Sequence, residues 1–208
     1  MRQSDGGDNL SEAANLMKQA ADLGHAGAAN NFGAMLQSGR GVSVNLERAF
    51  EYYDRAAKLG LAAGLFNLGF MLLHGLATER APATARLYFE MAALKNDVDA
   101  LTHLGRMAMI GEGGPQDPTA ARNYWAEGAR LGDGRCAFNL GIANAGGHGA
   151  EPSFVDAYAW FLEAERLGNV AAADELKKLN AVMTEQEVST AQKRQNFLGS
   201  SCDLHDRP

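Results

Sequence analysis

Glycine recurs in this chain on a fixed beat. Gly24, Gly60, Gly132 and Gly168 stand on one lattice of 36 residues whose remaining step is filled by Asn96, and nine positions on a second series holds Gly33, Gly69, Gly105 and Gly141. Self-similarity at a period of about 20–50 residues marks a solenoid, whose units are single supersecondary elements that bury their apolar faces only by stacking. The beat constrains the fold before any single residue does, and it moves the functional expectation from chemistry towards binding.

One unit shows what is repeated. After Leu61, residues 62–73 place Leu65, Leu68, Gly69 and Leu72 at three- and four-residue spacings, which predicts an amphipathic helix, helix A. His74, Gly75 and residues 76–79 break the pattern. Pro82 then suits the first position of a second helix, where its missing amide hydrogen would have no partner anyway, so helix B is predicted over 83–94. The residue before helix B is Asn45, Ala81, Asp117 or Ser153 in successive units, and three of these side chains can accept a bond from free first-turn amides. At the far end, the lattice glycines and Asn96 are the residue types that most readily adopt the left-handed conformation closing a helix.

Helix B carries aromatic pairs at Tyr52 and Tyr53, Tyr88 and Phe89, Tyr124 and Trp125, and Trp160 and Phe161, with Ala57, Ala93 and Ala129 following and Glu165 breaking the last series. Large rings alternating with small side chains predict interlocking neighbours. The second glycine series lies in mid-helix, where each glycine costs roughly 1 kcal/mol relative to alanine. A cost repeated in every unit predicts close approach between helices.

A chain of 208 residues with 46% hydrophobic and 21% charged residues folds rather than remaining disordered. A net charge of -6 without any basic run disfavours nucleic acid as a partner. No apolar run of about 18 residues is present to span a bilayer, and residues 1–9 lack the charged start and apolar stretch of a secretion signal. The chain as written is expected in the cytoplasm, or in the periplasm if it is a fragment of a longer, exported protein. Cys136 shares its lattice position with Ala28, Gly64, Ala100 and Ala172, so it is expected to be a small buried residue; Cys202 falls in a polar tail.

The residue types of catalysis are present without their spacings. His25, His74, His103, His148 and His205 form no metal-ligand pair, and no HExxH or CxxC occurs. The glycine-rich pieces at 111–115 and 147–150 lack the lysine and hydroxyl of a phosphate loop and recur on the beat, as hairpin turns would. Ser38, Ser43 and Ser153 have loop or capping roles open to them, and Glu51, Glu90, Glu127 and Glu163 fall on helix B surfaces. No enzyme, cofactor or metal is expected, with an enzyme of scattered site as the least favoured reading.

The shared pattern runs: small residue, three positions, Leu-Gly, two positions, large residue, then Gly-x-Gly, a capping residue, Ala, an aromatic pair, Ala-Ala and a closing glycine. Residues 26–60 and 99–132 carry it most fully, and over roughly 11–197 the chain resembles the Sel-one-like repeat family, close kin of tetratricopeptide repeats. The resemblance implies an all-α, right-handed α-solenoid of stacked helix-turn-helix repeats, an α/α superhelix. It divides the chain into a flexible N-terminus (1–10), a half repeat (11–25), repeats over 26–60, 61–96, 97–132 and 133–168, capping helices over 169–197 and a flexible tail (198–208), with no domain boundary inside the stack. Three departures stand out. The large position after Leu-Gly is Leu36 and Leu72 but Ala108 and Asn144, so the third and fourth hairpins are expected to pack less tightly; the second loop has Gly75 and Ala77 where others pair glycines; and the disulfide of some family members has no cysteines here. Residues Leu16, Met17, Ala20, Ala21 and Gly24 match only a helix B.

By resemblance to tetratricopeptide repeats, helices A line the concave wall. The positions facing the groove include Asn30, Asn31, Ala34 and Gln37, then Ala63, Phe66, Asn67, Phe70 and Leu73, then Asp99, Thr102, His103, Arg106 and Met109, then Arg135, Phe138, Asn139 and Ile142. Phe66, Phe70, Phe138 and Ile142 would form an apolar strip, while Asn31, Asn67, Asn139 and His103 in the same register, with Arg106 beside them, would hold a peptide backbone. The alternative is that curvature buries the rings and the asparagines bond to the protein itself. The expected function is a monomeric, non-enzymatic adaptor that binds a partner protein, peptide or helix in this groove, in bacterial signalling or assembly. The rival is an immunity-type neutraliser of a secreted toxin.

Overall fold

The computed structural model describes the backbone of residues 5–202 and the side chains of residues 9–198. The ends at 1–4 and 203–208, with His205, lie outside the described residues. Eleven helices and no strand occur among the described residues, which are 74% helical and form an all-α repeat solenoid. They are α1 (Asp5–Asp22), α2 (Ala26–Ser38), α3 (Leu46–Lys58), α4 (Ala62–His74), α5 (Pro82–Ala93), α6 (Val98–Ile110), α7 (Pro118–Arg130), α8 (Gly134–Gly146), α9 (Phe154–Arg166), α10 (Ala172–Asn180) and α11 (Glu185–Cys202). Helix α1 thus begins inside the stretch expected to be loose, and α11 runs into the expected tail.

Local chemistry starts and stops these helices as the repeat demands. Asn45, Asp117 and Ser153 accept bonds of 2.8, 2.9 and 3.2 Å from the amides of Arg48, Ala120 and Asp156, while Ala81 offers none. Each such cap contributes about 1 kcal/mol. At the closing lattice, Asn96 stands at φ 61 where Gly60 and Gly132 stand at 87 and 88, so the one non-glycine adopts the same left-handed turn. Ala77 is the second non-glycine at positive φ, 67, in the loop position that Gly41, Gly113 and Gly149 hold in the other repeats. A methyl group costs energy there, and the sequence departure at Ala77 is a departure in residue, not in backbone.

Nearest-neighbour stacking has no single centre, and the chain resolves into two compact units, residues 1–100 and 101–208. Each has its own apolar core. In the first, Phe32, Leu36, Tyr52, Tyr53, Leu68 and Met71 are buried together; in the second, Trp125, Cys136, Leu140, Tyr158, Phe161 and Leu176 are. Both are built on the second glycine series. A Cβ on Gly33 would lie 2.8 Å from the Tyr53 ring, one on Gly69 2.8 Å from the Phe89 ring, and those on Gly105 and Gly141 closer still to Trp125 and Phe161. The aromatic ring of helix B therefore packs closely against the backbone of helix A, which is what the mid-helix glycines permit.

The third and fourth hairpins are closed in a different way from the second. Ala108 is fully buried, and Asn144 is buried at 4% exposure, its Nδ2 donating to the Leu140 carbonyl at 2.7 Å and its Oδ1 accepting from Arg122 at 3.1 Å. Cys136 is buried, as its lattice position required, with its Sγ 3.2 Å from Thr102 Oγ1.

Candidate functional site

Each unit presents its helix A face differently. In unit 1, Phe66 and Phe70 sit one turn apart on α4, half-buried, with ring centroids 6.3 Å apart. Phe66 also lies 5.5 Å from Phe89 of α5, and Phe70 lies 4.3 Å from His74. The rings form a layer over the α4–α5 junction. Asn67 is committed to the protein itself: its Nδ2 donates to Asn30 Oδ1 on α2 at 2.8 Å. Gln37 accepts from the Tyr53 hydroxyl at 2.7 Å, and Leu73 is buried at 1% exposure, so it belongs to the core and not to a wall. Asn31 is exposed on α2.

In unit 2, the same lattice positions carry different residues. Phe66 corresponds to Thr102 and Phe70 to Arg106, each 36 residues on. The volume that the rings fill in the second repeat is here open: a cavity of about 320 Å³ is lined by Thr102, His103, Arg106, Met109, Ile110, Trp125 and Asn139. Its floor is Trp125, buried to 6% exposure, whose indole Nε1 donates to the Thr102 carbonyl at 3.4 Å. Its mouth holds the imidazole of His103, the amide of Asn139 and the guanidinium of Arg106, which pairs with Glu112 at 2.9 Å. An apolar floor with a few convergent polar groups at the rim is the usual form of a ligand pocket.

The nine residues expected to bind a partner therefore fall in two sets. Asn31, Phe66, Asn67 and Phe70 belong to unit 1; His103, Arg106, Phe138, Asn139 and Ile142 belong to unit 2. The cavity gathers His103, Arg106 and Asn139. Phe138 packs against Phe161 at 5.4 Å and is half-buried, and Ile142 is 40% exposed. Trp125 and Ile110 were not among the expected binding residues. The sequence signal for them is the exchange of Phe66 for Thr102 on the lattice, which uncovers the ring below.

Electrostatics in unit 2 are dominated by two buried carboxylates that serve the fold. Burial raises the Asp133 carboxyl, but bonds from the Arg135 guanidinium and from the Cys136 and Arg135 amides outweigh it and hold the group below its ordinary value. Glu163 of α9 is likewise raised by burial and pulled down further by Arg166 and by Gln195 of α11, the latter donating at 2.8 Å. Arg194 of α11 pairs with Asp156 of α9. Among the described residues no group of three or more His, Cys, Asp or Glu side chains is placed to hold a metal ion, and no helix is long and apolar enough to cross a membrane.

Comparison with known proteins bears on this geometry. A family profile described as Sel1 repeat matches residues 6–25, 26–61, 62–97, 98–133 and 134–169. A comparison with curated protein sequences finds no match. Among solved structures, a Sel1 repeat protein from Oxalobacter formigenes is 26% identical, with a TM-score of 0.76 over 88% of this chain and 77% of that one. A protective antigen of uropathogenic Escherichia coli displaying an SLR fold is 24% identical, with a TM-score of 0.75 over 95% of this chain; this chain spans only 42% of it. An immunity protein from Pseudomonas aeruginosa is 19% identical, with a TM-score of 0.57 over 94% of this chain and 78% of that one. The last two show a shared fold. A Sel1 repeat solenoid is typical of protein–protein interaction and generally non-catalytic. The profile covers well over half of the sequence, its first segment falls on α1 and the others on the pairs α2–α3, α4–α5, α6–α7 and α8–α9, and the chain belongs to the Sel1 repeat family.

Proposed function

We propose that this protein is a non-enzymatic adaptor that docks a partner peptide or helix on the helix A face of unit 2, one apolar side chain of the partner entering the cavity above Trp125. The single observation that carries the reading is that cavity, of about 320 Å³, floored by an indole and rimmed by His103, Asn139 and Arg106. A volume of this size accepts a leucine, methionine or phenylalanine side chain, and the rim supplies donors and an acceptor for the backbone on either side of it. The Arg106–Glu112 pair favours neither sign of charge strongly, so recognition is by shape and hydrogen bonding.

The test is a photo-crosslinking amino acid at Met109, with and without the Thr102→Phe replacement. The replacement restores the ring found at this lattice position in the second repeat and fills the cavity. One partner crosslinked by the parent and lost with Thr102→Phe, at unchanged helicity and melting temperature, supports the reading; equal crosslinking in both overturns it. A second reading, neutralisation of a secreted toxin, is favoured by the likeness to Pseudomonas immunity proteins. A single stable one-to-one complex in the crosslinked material supports neutralisation, and several exchanging partners support an adaptor.

A further inference from the structure

In the first complete repeat, helix A fills a cleft between its own helix B and the next helix A. For α2 the cleft walls are α3 and α4: Gly33 lies on the Tyr53 ring and the Ala49 carbonyl, and Asn30 accepts from Asn67 at 2.8 Å. Moving these walls back by 36 residues lands on α1 and α2. Leu46, Ala49 and Tyr53 become Leu10, Ala13 and Met17, and Asn67, Phe70 and Met71 become Asn31, Ala34 and Met35. Those six residues, with Ser38 and Arg40, line a cavity of about 320 Å³. Ala49, Tyr53 and Met71 are buried at 0%, 1% and 0% exposure, whereas Ala13, Met17 and Met35 are only half-buried and Leu10 is 39% exposed. The seat is built and empty.

We infer that this N-terminal cleft receives an amphipathic helix from a partner protein, with the chemistry of a helix A: a glycine or alanine where the helix crosses Met17, and a side-chain carbonyl one turn away to accept from Asn31. The repeat itself specifies that occupant, because the same walls hold such a helix when α2 lies on α3 and α4. Within the described residues α1 does not supply this helix itself. At Asn45, Ala81, Asp117 and Ser153 the backbone leaves helix B in an extended turn, φ between -151 and -135, and returns to its own helix A. The equivalent residue, Asn9, lies inside α1, which continues to Asp5, so the return turn of the other repeats is not made at this position. Arg40 is the one charged side chain of the lining and selects an acidic group at its end of the partner helix.

The probe is a fluorescein-labelled peptide of residues 26–45, whose Asn30 would meet Asn31 as it meets Asn67 in the protein. Saturable anisotropy with Kd below roughly 1 mM is expected, weakened at least about tenfold by Ala34→Arg, which fills the exposed side of the cleft without touching the core. Because a helix of about 13 residues is marginal alone, a second protein joins residues 26–45 directly to Leu10 in place of residues 1–9. It is expected to melt several degrees higher and to bind no peptide. Peptide binding unchanged by Ala34→Arg, a fusion no more stable than the parent, or a dimer in sedimentation that Ala34→Arg dissociates would each overturn the inference.

Discussion

The second and third repeats share a backbone plan and differ in what fills it. In the second, Phe66 and Phe70 lie in a ring layer with Phe89 and His74, and the helix A face closes on itself. In the third, Thr102 and Arg106 stand at the same lattice steps, and Trp125, the counterpart of Phe89, becomes the floor of an open cavity. A repeat protein can therefore place a pocket by exchanging two side chains while every helix stays in position, since stacking depends on the glycine and ring series and not on the outer face. An exposed aromatic strip, which is what the sequence offers first as a binding surface, is in the second repeat largely satisfied by its own neighbours.

The comparison can be broken most severely at the crossings. Gly105→Ala drives a methyl group into the Trp125 ring, and Gly69→Ala places one 2.8 Å from Phe89. Overpacking of this kind costs about 1–3 kcal/mol, so Gly105→Ala is expected near the upper end and Gly69→Ala near the lower, read as urea midpoints with unchanged slope. Equal losses would show that the two crossings are equally tight.

Next in size is the carboxylate that ties α11 to α9. Glu163→Ala leaves Arg166 and Gln195 without their acceptor in a half-buried place, an expected loss of about 2 kcal/mol. The wild type carries the corresponding pH dependence. Glu163 and Asp133 both titrate below their ordinary values of 4.5 and 3.8, so the stability they supply is complete above those values and is lost as pH falls through the lower folded ones. Asp97, raised by burial, works in the opposite direction and is lost as pH rises past its folded value. Chemical denaturation between about pH 6 and pH 3 should show a fall in stability that is shallower in Glu163→Ala.

A direct exchange of the two outer faces sharpens the contrast. Phe66→Thr uncovers Phe89 at a cost of about 2 kcal/mol for a half-buried ring, while Thr102→Phe is expected to change stability by less than about 1 kcal/mol because it fills existing space. A Thr102→Phe protein that unfolds would mean that the cavity wall is rigid. The smallest effect is expected at Ala77, where glycine relieves a positive φ that Gly41, Gly113 and Gly149 adopt without strain. Ala77→Gly should raise the melting temperature slightly, by about 0.5 kcal/mol of stability.

Much of this was legible in one dimension. The helix ends followed from Asn45, Asp117, Ser153 and the closing glycines, because caps and left-handed turns are decided within four residues of chain. The identity of the fold followed from the 36-residue beat for the same reason: each unit repeats its local rules. Residues 26, 62 and 118 open helices where the pattern placed them, within one or two positions. The candidate face was legible only in part. Of the positions read as facing the groove, His103, Arg106 and Asn139 line one cavity, whereas Asn67 bonds to Asn30 and Leu73 lies in the core, since which of two adjacent helical positions turns inward depends on the crossing angle with a neighbour.

What the sequence alone determined is the periodic part: helix, turn, cap, glycine and ring, each fixed by backbone preferences and by contacts at constant separation along the chain. The tertiary structure decided the aperiodic part. Whether a ring covers a neighbour or leaves Trp125 open, and whether the cleft between α1 and α2 is filled, are questions of volume between helices. Volume is set by which side chains meet across a packed interface, and no single stretch of the chain contains both sides of it.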